Sequence, residues 1–585
     1  MTSSVNTVET DVLVIGGGGA GTRAAIEASR AGAKTVLAVK GRFNSVGVHG
    51  AGATGVGLSE AGAFFYFDPK TGYPLIDPDE WGPITLEEIL ELDYQVIVQV
   101  GLGMADPKLA RVMVQDAVSQ RQQIEEWGVE IHGDRLRHHG LPLMAALGRH
   151  IQLTDVDVRE EAAITDLLVH DGSCVGAVGL DFQGNTIVFK AGAVVLCSGG
   201  DAGLYRHNFH PPDVTGDGHA MAYNAGATLM NMEFGQFFLS TLPAVTHPSA
   251  VWLFQPGVRL KNGLGQEFLP NYLPDGITSD EVFAARTYQP MFTMANVSGY
   301  ADIAMMKEVL AGRAGPYGGA LLDLTDPSIV TRSMYAEGWL AKRGIEAAER
   351  PLEIVPARHC SHGGPRIDEF GRTDIAGLYA GGGEAASGPQ GADRMGGHML
   401  GSGQVFGTRA GRDAARYANE NGADDIPADV VEHGLERIRS LGTLRGSVRP
   451  REVKRELRRR AWEDMNVIRS EEACNRVLET IARIHDEFTS RLTIQEPFDR
   501  VEAMEVLNML TVAEMTAKTI AMRTESRGGH YREDYPEQDD AQWLKSISIR
   551  KEGDEMTLGT IALDPEWRDR TDELKGVSFA GGRQE

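Results

Sequence analysis

The sequence predicts an α/β fold organised around a buried parallel sheet, and three observations predict it. The apolar run Val12 to Ile15 leads through a glycine turn into a helical stretch, Ala20 to Ala31. A second strand-like run follows at once, Lys34 to Lys40 (KTVLAVK). A third, Ala191 to Gly200 (AGAVVLCSGG), arrives much later and again ends in glycine. Unbroken apolar runs of this length suit strands covered on both faces, whereas a strand with one wet face would alternate.

The turn between the first strand and helix is Gly16-x-Gly18-x-x-Gly21. In such a unit the first glycine permits the tight turn, the second lets backbone approach a pyrophosphate, and the third allows close helix packing. Phosphate then rests on the helix N-terminus, where free N–H groups and the helix dipole favour negative charge. A bare GxGxxG carries little weight, but a strand before it and a helix after it make this stretch a dinucleotide cradle. An acidic residue often closes the second strand to hold a ribose; here Val39 and Lys40 stand in that place, which argues against a nicotinamide cofactor.

With 585 residues the chain has room for roughly three to four domains. A formal charge of −25 excludes a general nucleic-acid or anionic-membrane surface and fits a soluble cytoplasmic protein. Cys174, Cys197, Cys360 and Cys474 are far apart and form no CxxC, so neither a disulfide framework nor a zinc or iron–sulfur site is expected. No secretory signal precedes Asp11, and no uncharged apolar run approaches the roughly 20 residues of a membrane helix.

Along the chain, Ser45 to Gly57 (SVGVHGAGATGVG) reads as a loop able to lie against a flat ligand, with His49 its only titratable side chain. Phe64 to Pro83 reads as an irregular excursion. Helical periodicity covers Thr85 to Gly101, opened by the capping box Thr85-x-x-Glu88, and Asp106 to Trp127. Ala162 to Val188 alternates around Asp171-Gly172 and Gln183-Gly184, as a β meander does. Arg449 to Arg460 (RPREVKRELRRR) is the one dense basic run; a solvated helix face and an anionic partner both account for it.

Three further groups of motifs carry a resemblance. The first is Ser198-Gly199-Gly200, Thr215-Gly216-Asp217-Gly218, Ala225-Gly226-Ala227 and Asn231 to Phe237 (NMEFGQF). The second is Gly377 to Gly411 (GLYAGGGEAASGPQGADRMGGHMLGSGQVFGTRAG) and the third Arg523 to Pro536 (RTESRGGHYREDYP). In order and spacing, across roughly residues 9 to 545, they resemble the flavoprotein subunits of succinate dehydrogenase and fumarate reductase, whose fold L-aspartate oxidase and the adenylylsulfate reductase alpha subunit share. The resemblance implies a Rossmann-like FAD-binding domain in two parts, residues 1–240 and 351–428, with an inserted α+β capping domain, 241–350. A C-terminal helical domain, 429–545, and a tail, 546–585, complete it.

The resemblance also implies a site. FAD would be bound by Gly16, Gly18, Gly19, Ala20 and Gly21, by Lys40, Gly41, Ser45 and Gly52, and by Gly199, Asp217, Glu384 and Ser402, with Glu384 on the ribose. His359, in HCSHGG, matches the family histidine that binds a substrate carboxylate, and Arg394, in GADRMGG, the arginine that clamps one. Covalently flavinated relatives attach the flavin to histidine in Ser-His-Thr; the triplet here is Ser45-Val46-Gly47, and Val46 has no nucleophilic atom, so the FAD is expected to be non-covalent. The sequence departs from the dicarboxylate enzymes twice more. They follow Gln-Phe with His-Pro-Thr, where this chain has Phe238-Leu239-Ser240. Their proton-delivering arginine has no clear counterpart: Ser298 stands near its place, and Arg286, twelve residues earlier, is the nearest arginine and the candidate to substitute for it as a catalytic residue.

The function implied is that of an FAD-dependent oxidoreductase moving a hydride between flavin N5 and a small, carboxylate-bearing substrate. An L-aspartate oxidase, an adenylylsulfate reductase-like enzyme, and a flavin electron-relay protein with no substrate of its own remain open. Electrons would be exchanged with an iron–sulfur subunit, with quinone, with a small carrier or with oxygen, and oligomers are possible. A cytoplasmic location follows, with attachment to the membrane face only through a partner.

Overall fold

The computed structural model describes residues 5–43, 86–129, 140–243, 254, 257–288, 292–326, 349–394, 398–423, 425–441 and 444–563. The expected flavin loop with Ser45, Val46, His49 and Gly52, the excursion from Phe64, and the cap residue Thr85 lie outside the described residues.

The first strand, β1 (Val5–Ile15), is longer than its apolar run because the whole of it has a partner. It pairs in parallel with β2 (Thr35–Ala38) on one side. On the other side it runs beside the later strand Thr186–Leu196, from Val5 opposite Thr186 to Ile15 opposite Leu196. Beyond β2 lies the short β3 (Asp157–Arg159), also parallel. The expected meander is β4 (Ala162–His170), β5 (Ser173–Asp181) and β6, the strand Thr186–Leu196. Its first turn places both Asp171 and Gly172 at positive φ, 48° and 78°, the two-residue geometry that matches the twist of a hairpin. The lower half of β6 pairs with β5, while its apolar end, Val194–Leu196, pairs in parallel with Leu378–Ala380 and so draws the second half of the chain into the same seven-stranded sheet.

Side chains alternate across β1. Val12 and Val14 pack under the helix Gly19–Arg30, while Leu13 and Ile15 face the opposite core. The long helix His398–Asn421 lies directly on the first helix, so close that a Cβ on Gly411 would stand 2.3 Å from the Ala24 carbonyl oxygen. A second, antiparallel sheet orders Gly235–Leu242, Leu352–Ser361, Ala320–Asp323 and Arg259–Lys261. It has its own apolar core around Phe254, Phe268, Phe283 and Met305.

The C-terminal layer consists of the helices Ala428–Ser440, Pro450–Asp464, Glu471–Arg491 and Phe498–Met522. Phe498–Met522 packs on Asp217–Asn224 and thereby against the floor of the first domain. The stretch set apart as a tail from residue 546 begins inside a strand: Lys545–Glu552 and Glu555–Ala562 form a hairpin that pairs with Leu229–Met230. Ile547 and Ile549 alternate inward there and anchor it. Much of the basic run pairs within the chain: Arg449 with Asp499, Arg459 with Glu463 and Arg460 with Asp464. All four cysteines are buried thiols. Among the described residues no helix is long and apolar enough to cross a membrane.

Candidate functional site

At the carboxyl end of β1 the three motif glycines separate into two kinds. Gly16 has φ +108°, and a Cβ there would lie 2.3 Å from the Cys197 carbonyl oxygen; a Cβ on Gly21 would lie 1.9 Å from that of Gly16. Both are demanded by the fold itself. Gly18 differs: its φ of −76° suits any residue, and a Cβ there would meet nothing within 4 Å. It caps the helix Gly19–Arg30 without a side-chain acceptor, so the first-turn N–H groups open onto a cleft whose space, mouth included, is about 1300 Å³. Gln404, from the helix His398–Asn421, donates Nε2 to the Gly19 carbonyl at 3.0 Å and fixes the turn.

Glu384 is fully buried beside this cleft. Its Oε2 accepts from the Ser198 backbone N–H at 3.0 Å and from Ser198 Oγ at 2.6 Å, while Oε1 has no hydrogen-bond partner. Burial pushes its carboxyl above the usual carboxylate range, with His219 and Ser198 only partly offsetting this. Ser402 Oγ and Gln404 Oε1 are likewise buried and unpartnered. Buried polar atoms left this way are costly unless a ligand completes them. Lys40 and Asp217, on the cleft wall, meet directly: Nζ to Oδ2 is 2.6 Å. Asp217 opens the helix Asp217–Asn224 as its first residue, Gly216 being the cap.

At the other end of the cleft the structure brings His359 and Arg394 together. In the pairing of Leu352–Ser361 with Gly235–Leu242, Arg358 stands opposite Phe237 and Cys360 opposite Gln236, which leaves His359 as the extra residue of a β-bulge. The bulge lets neighbouring side chains diverge. Arg358 turns to a buried ion pair with Asp201 at 3.0 Å. His359 Nδ1 lies 3.3 Å from Arg394 Nη2 and 3.3 Å from Gln236 Oε1. Arg394 also donates Nε and Nη2 to Cys360 Sγ at 3.2 and 3.1 Å, and Cys360 lines the cleft, so the arginine sits directly behind the cleft wall. Gln236 Nε2 binds the Arg394 carbonyl at 2.8 Å and Asp393 Oδ1 at 3.1 Å, holding the loop that carries the arginine. Burial pushes Asp393 up to about 6. Phe238 sets its ring edge-on to His359 at 4.6 Å.

Arg286 lies on the helix Ser279–Tyr288, fully buried, in an ion pair with Asp302, Nη2 to Oδ1 2.9 Å. Ser298 caps the next helix, Gly299–Leu310. Sequence reasoning missed His210, which lines the cleft with its ring 6.3 Å from that of His359. The signal was present in Asn208 to Pro212 (NFHPP), a histidine in a rigid loop between two cofactor-side motifs. Burial holds His210 at about 4 and His398 at about 3, and the Arg394 charge acts on both in the same direction. Near neutral pH these two imidazoles are therefore uncharged, and Arg394 supplies positive charge to this end of the cleft.

Two family models match. The FAD binding domain covers residues 11–150 and 133–400, and the fumarate reductase flavoprotein C-terminal region covers 454–570. A fumarate reductase (CoM/CoB) polypeptide from Methanothermobacter marburgensis is 30% identical, over 94% of this chain and 99% of its own. L-aspartate oxidase of Streptomyces coelicolor is 26% identical, over 95% and 94%. Among solved structures, a variant of FrdA from the E. coli quinol fumarate reductase superposes with a TM-score of 0.77 at 24% identity, over 95% of this chain and 97% of that one, which establishes the shared fold. The glycine cradle, the two-part nucleotide sheet and these matches agree: the chain belongs to the fumarate reductase and succinate dehydrogenase flavoprotein family and is an FAD-dependent oxidoreductase.

Proposed function

We propose that this enzyme oxidises or reduces a small substrate anchored through one carboxylate by Arg394 and His359, beside FAD held non-covalently in the cleft. The residues fit the cofactor. Gly18 leaves room for a pyrophosphate over open helix N–H groups, and Glu384 Oε1, which accepts no hydrogen bond and has the His219 imidazole 3.7 Å away, is an acceptor for a ribose hydroxyl. Bound FAD supplies a hydride acceptor or donor; the rest of the work falls to the chain.

Arg394 presents a planar fork that can take a carboxylate by two charge-assisted bonds. Its backbone is fixed by Gln236, so its position is set before substrate arrives. His359, held in the bulge between Gln236 and Arg394, gives a hydrogen bond to the same carboxylate or to an adjacent carbonyl. Cys360 and His210 line the cleft on the cofactor side, and Phe238 places an apolar edge on His359. That edge favours a substrate with one anchored carboxylate and a less polar remainder over a symmetric dicarboxylate. Relatives bear quinol and CoM/CoB in their names, and we extend this to a separate redox partner for the present chain, an iron–sulfur or other electron-transfer subunit, met in the cytoplasm or at the membrane face.

The observation that carries the reading is the buried Arg394–His359–Gln236 constellation behind the cleft wall. The test is anaerobic flavin bleaching by succinate, L-aspartate and saturated monocarboxylates, and reoxidation of the reduced enzyme by fumarate and 2-enoates. At least one carboxylate should react, and Arg394→Lys should slow that reaction roughly 100-fold, the magnitude of losing one preorganised donor, with FAD retained. Wild-type rates in Arg394→Lys would remove the arginine from the site.

A further inference from the structure

Lys40 and Asp217 line the cleft where the resemblance expects them to bind FAD, yet all of the donors of Lys40 and most of the acceptor sites of Asp217 are taken up within the protein. The three donors of Lys40 Nζ go to Thr215 Oγ1 at 3.0 Å, Asp217 Oδ2 at 2.6 Å and Glu505 Oε1 at 2.7 Å. Asp217 Oδ2 also accepts from Thr215 Oγ1 at 2.9 Å, and its Oδ1 accepts from Asn508 Nδ2 at 2.8 Å. Glu505 and Asn508 belong to the helix Phe498–Met522 of the C-terminal layer. The path continues in both directions: Glu505 Oε2 binds Lys454 on the helix Pro450–Asp464, and Asn508 Oδ1 accepts from Arg437 at 3.3 Å, which pairs with Asp166 on β4. Three cations and three anions thus alternate from the nucleotide sheet, past the cleft, into three C-terminal helices.

We propose that Glu505 and Asn508 are cofactor-positioning residues, through which FAD binding and docking of the helix Phe498–Met522 form one linked equilibrium. They touch no cofactor themselves; they hold Lys40 and Asp217 in the shape FAD requires. Burial opposes charge on both Lys40 and Glu505, but their contacts win, raising Lys40 and holding Glu505 at about 2. Both therefore stay ionised, and a partner lost from the network leaves a buried charge uncompensated. Linkage makes the effect reciprocal: whatever factor helix docking gives to FAD affinity, FAD gives back to helix docking.

The experiment measures FAD release on dilution of the purified holoprotein, by recovery of free-flavin fluorescence, with amide exchange in residues 498–522 followed in parallel. A simple field effect and positioning predict opposite signs for Glu505→Gln. Removing a negative charge would strengthen the hold on an anionic dinucleotide, whereas loss of positioning accelerates release, here by tenfold or more, within the roughly 5- to 150-fold range of coupled sites. Asn508→Ala changes no charge and keeps the inference testable if Glu505→Gln does not fold; it should release FAD at least fivefold faster. In both variants, exchange in 498–522 should rise in step with release. Release at or below the wild-type rate in either soluble variant, or exchange in this helix indifferent to FAD, overturns the proposal.

Discussion

Gly18→Val separates what the glycine turn does for the fold from what it does for the cofactor. In the protein without FAD the added side chain meets open space, and φ of −76° with ψ of −171° is ordinary extended backbone. Restricting the unfolded chain contributes about 0.4–1 kcal/mol of stability, and a poorer N-cap costs a similar amount, so the apoprotein should keep its stability to within about 1 kcal/mol. Once FAD is offered, the same side chain occupies the approach to the helix N–H groups. Overpacking costs roughly 1–3 kcal/mol, and one lost charge-assisted hydrogen bond about 1.5–3 more, so affinity should fall by roughly 60-fold or more. The assay is FAD content after purification, then titration with added FAD and the melting temperature without it. Gly16→Val is the control: its Cβ would stand 2.3 Å from the Cys197 carbonyl oxygen at φ +108°, so that variant should lose the fold itself. A flavin-replete Gly18→Val, or one as unstable as Gly16→Val, would refute the division of roles.

Acid precipitation of the holoprotein should release its yellow colour into the supernatant, because Val46, in the place of the histidine of Ser-His-Thr, has no nucleophilic atom to offer the flavin; colour left on the pellet would place His49 at the ring instead. His359→Ala should retain FAD and slow flavin reduction less than Arg394→Lys does, and if His359 also moves a proton, the loss should depend on pH. Burial holds His207 and His210 at about 4 and His398 at about 3, below the ordinary 6.5. The unfolded chain then binds more protons than the folded one below pH about 6.5, so stability should fall as pH drops from there to about 4. His207→Phe keeps the edge contact with Trp462 and should flatten part of that slope in melting temperature against pH.

The legible parts of this molecule were those whose chemistry is local. The glycine turn, the meander turn at Asp171-Gly172 and the apolar ends of β1 and β6 each declare themselves within about a dozen residues, because turn geometry and burial on both faces constrain neighbours directly. The site reads less well in proportion to the sequence distance between its partners. Glu384 acquires its buried setting from Ser198, 186 residues away, and His359 becomes a bulge residue only because Gly235–Leu242 pairs with its strand out of step. No periodicity within either segment encodes that.

Charge is the least legible property, for the same reason. Arg523, Glu525, Arg527 and Arg532 are four charged residues within ten positions, yet all are buried, bound to Glu233, to one another, to Asp540 and to Asp534. Arg286 drew attention as a possible proton donor from its place in the chain; the fold sets it against Asp302, sixteen residues on. The basic run from Arg449 to Arg460 looked open to an anionic partner, but Asp499, Glu463, Asp464 and Glu505 take up much of its charge within the molecule. A burst of positive charge in a chain of net −25 predicts a partner only after its acidic neighbours have been placed, and here those neighbours tie the helix inward, to the cofactor cleft through Lys454, Glu505 and Lys40.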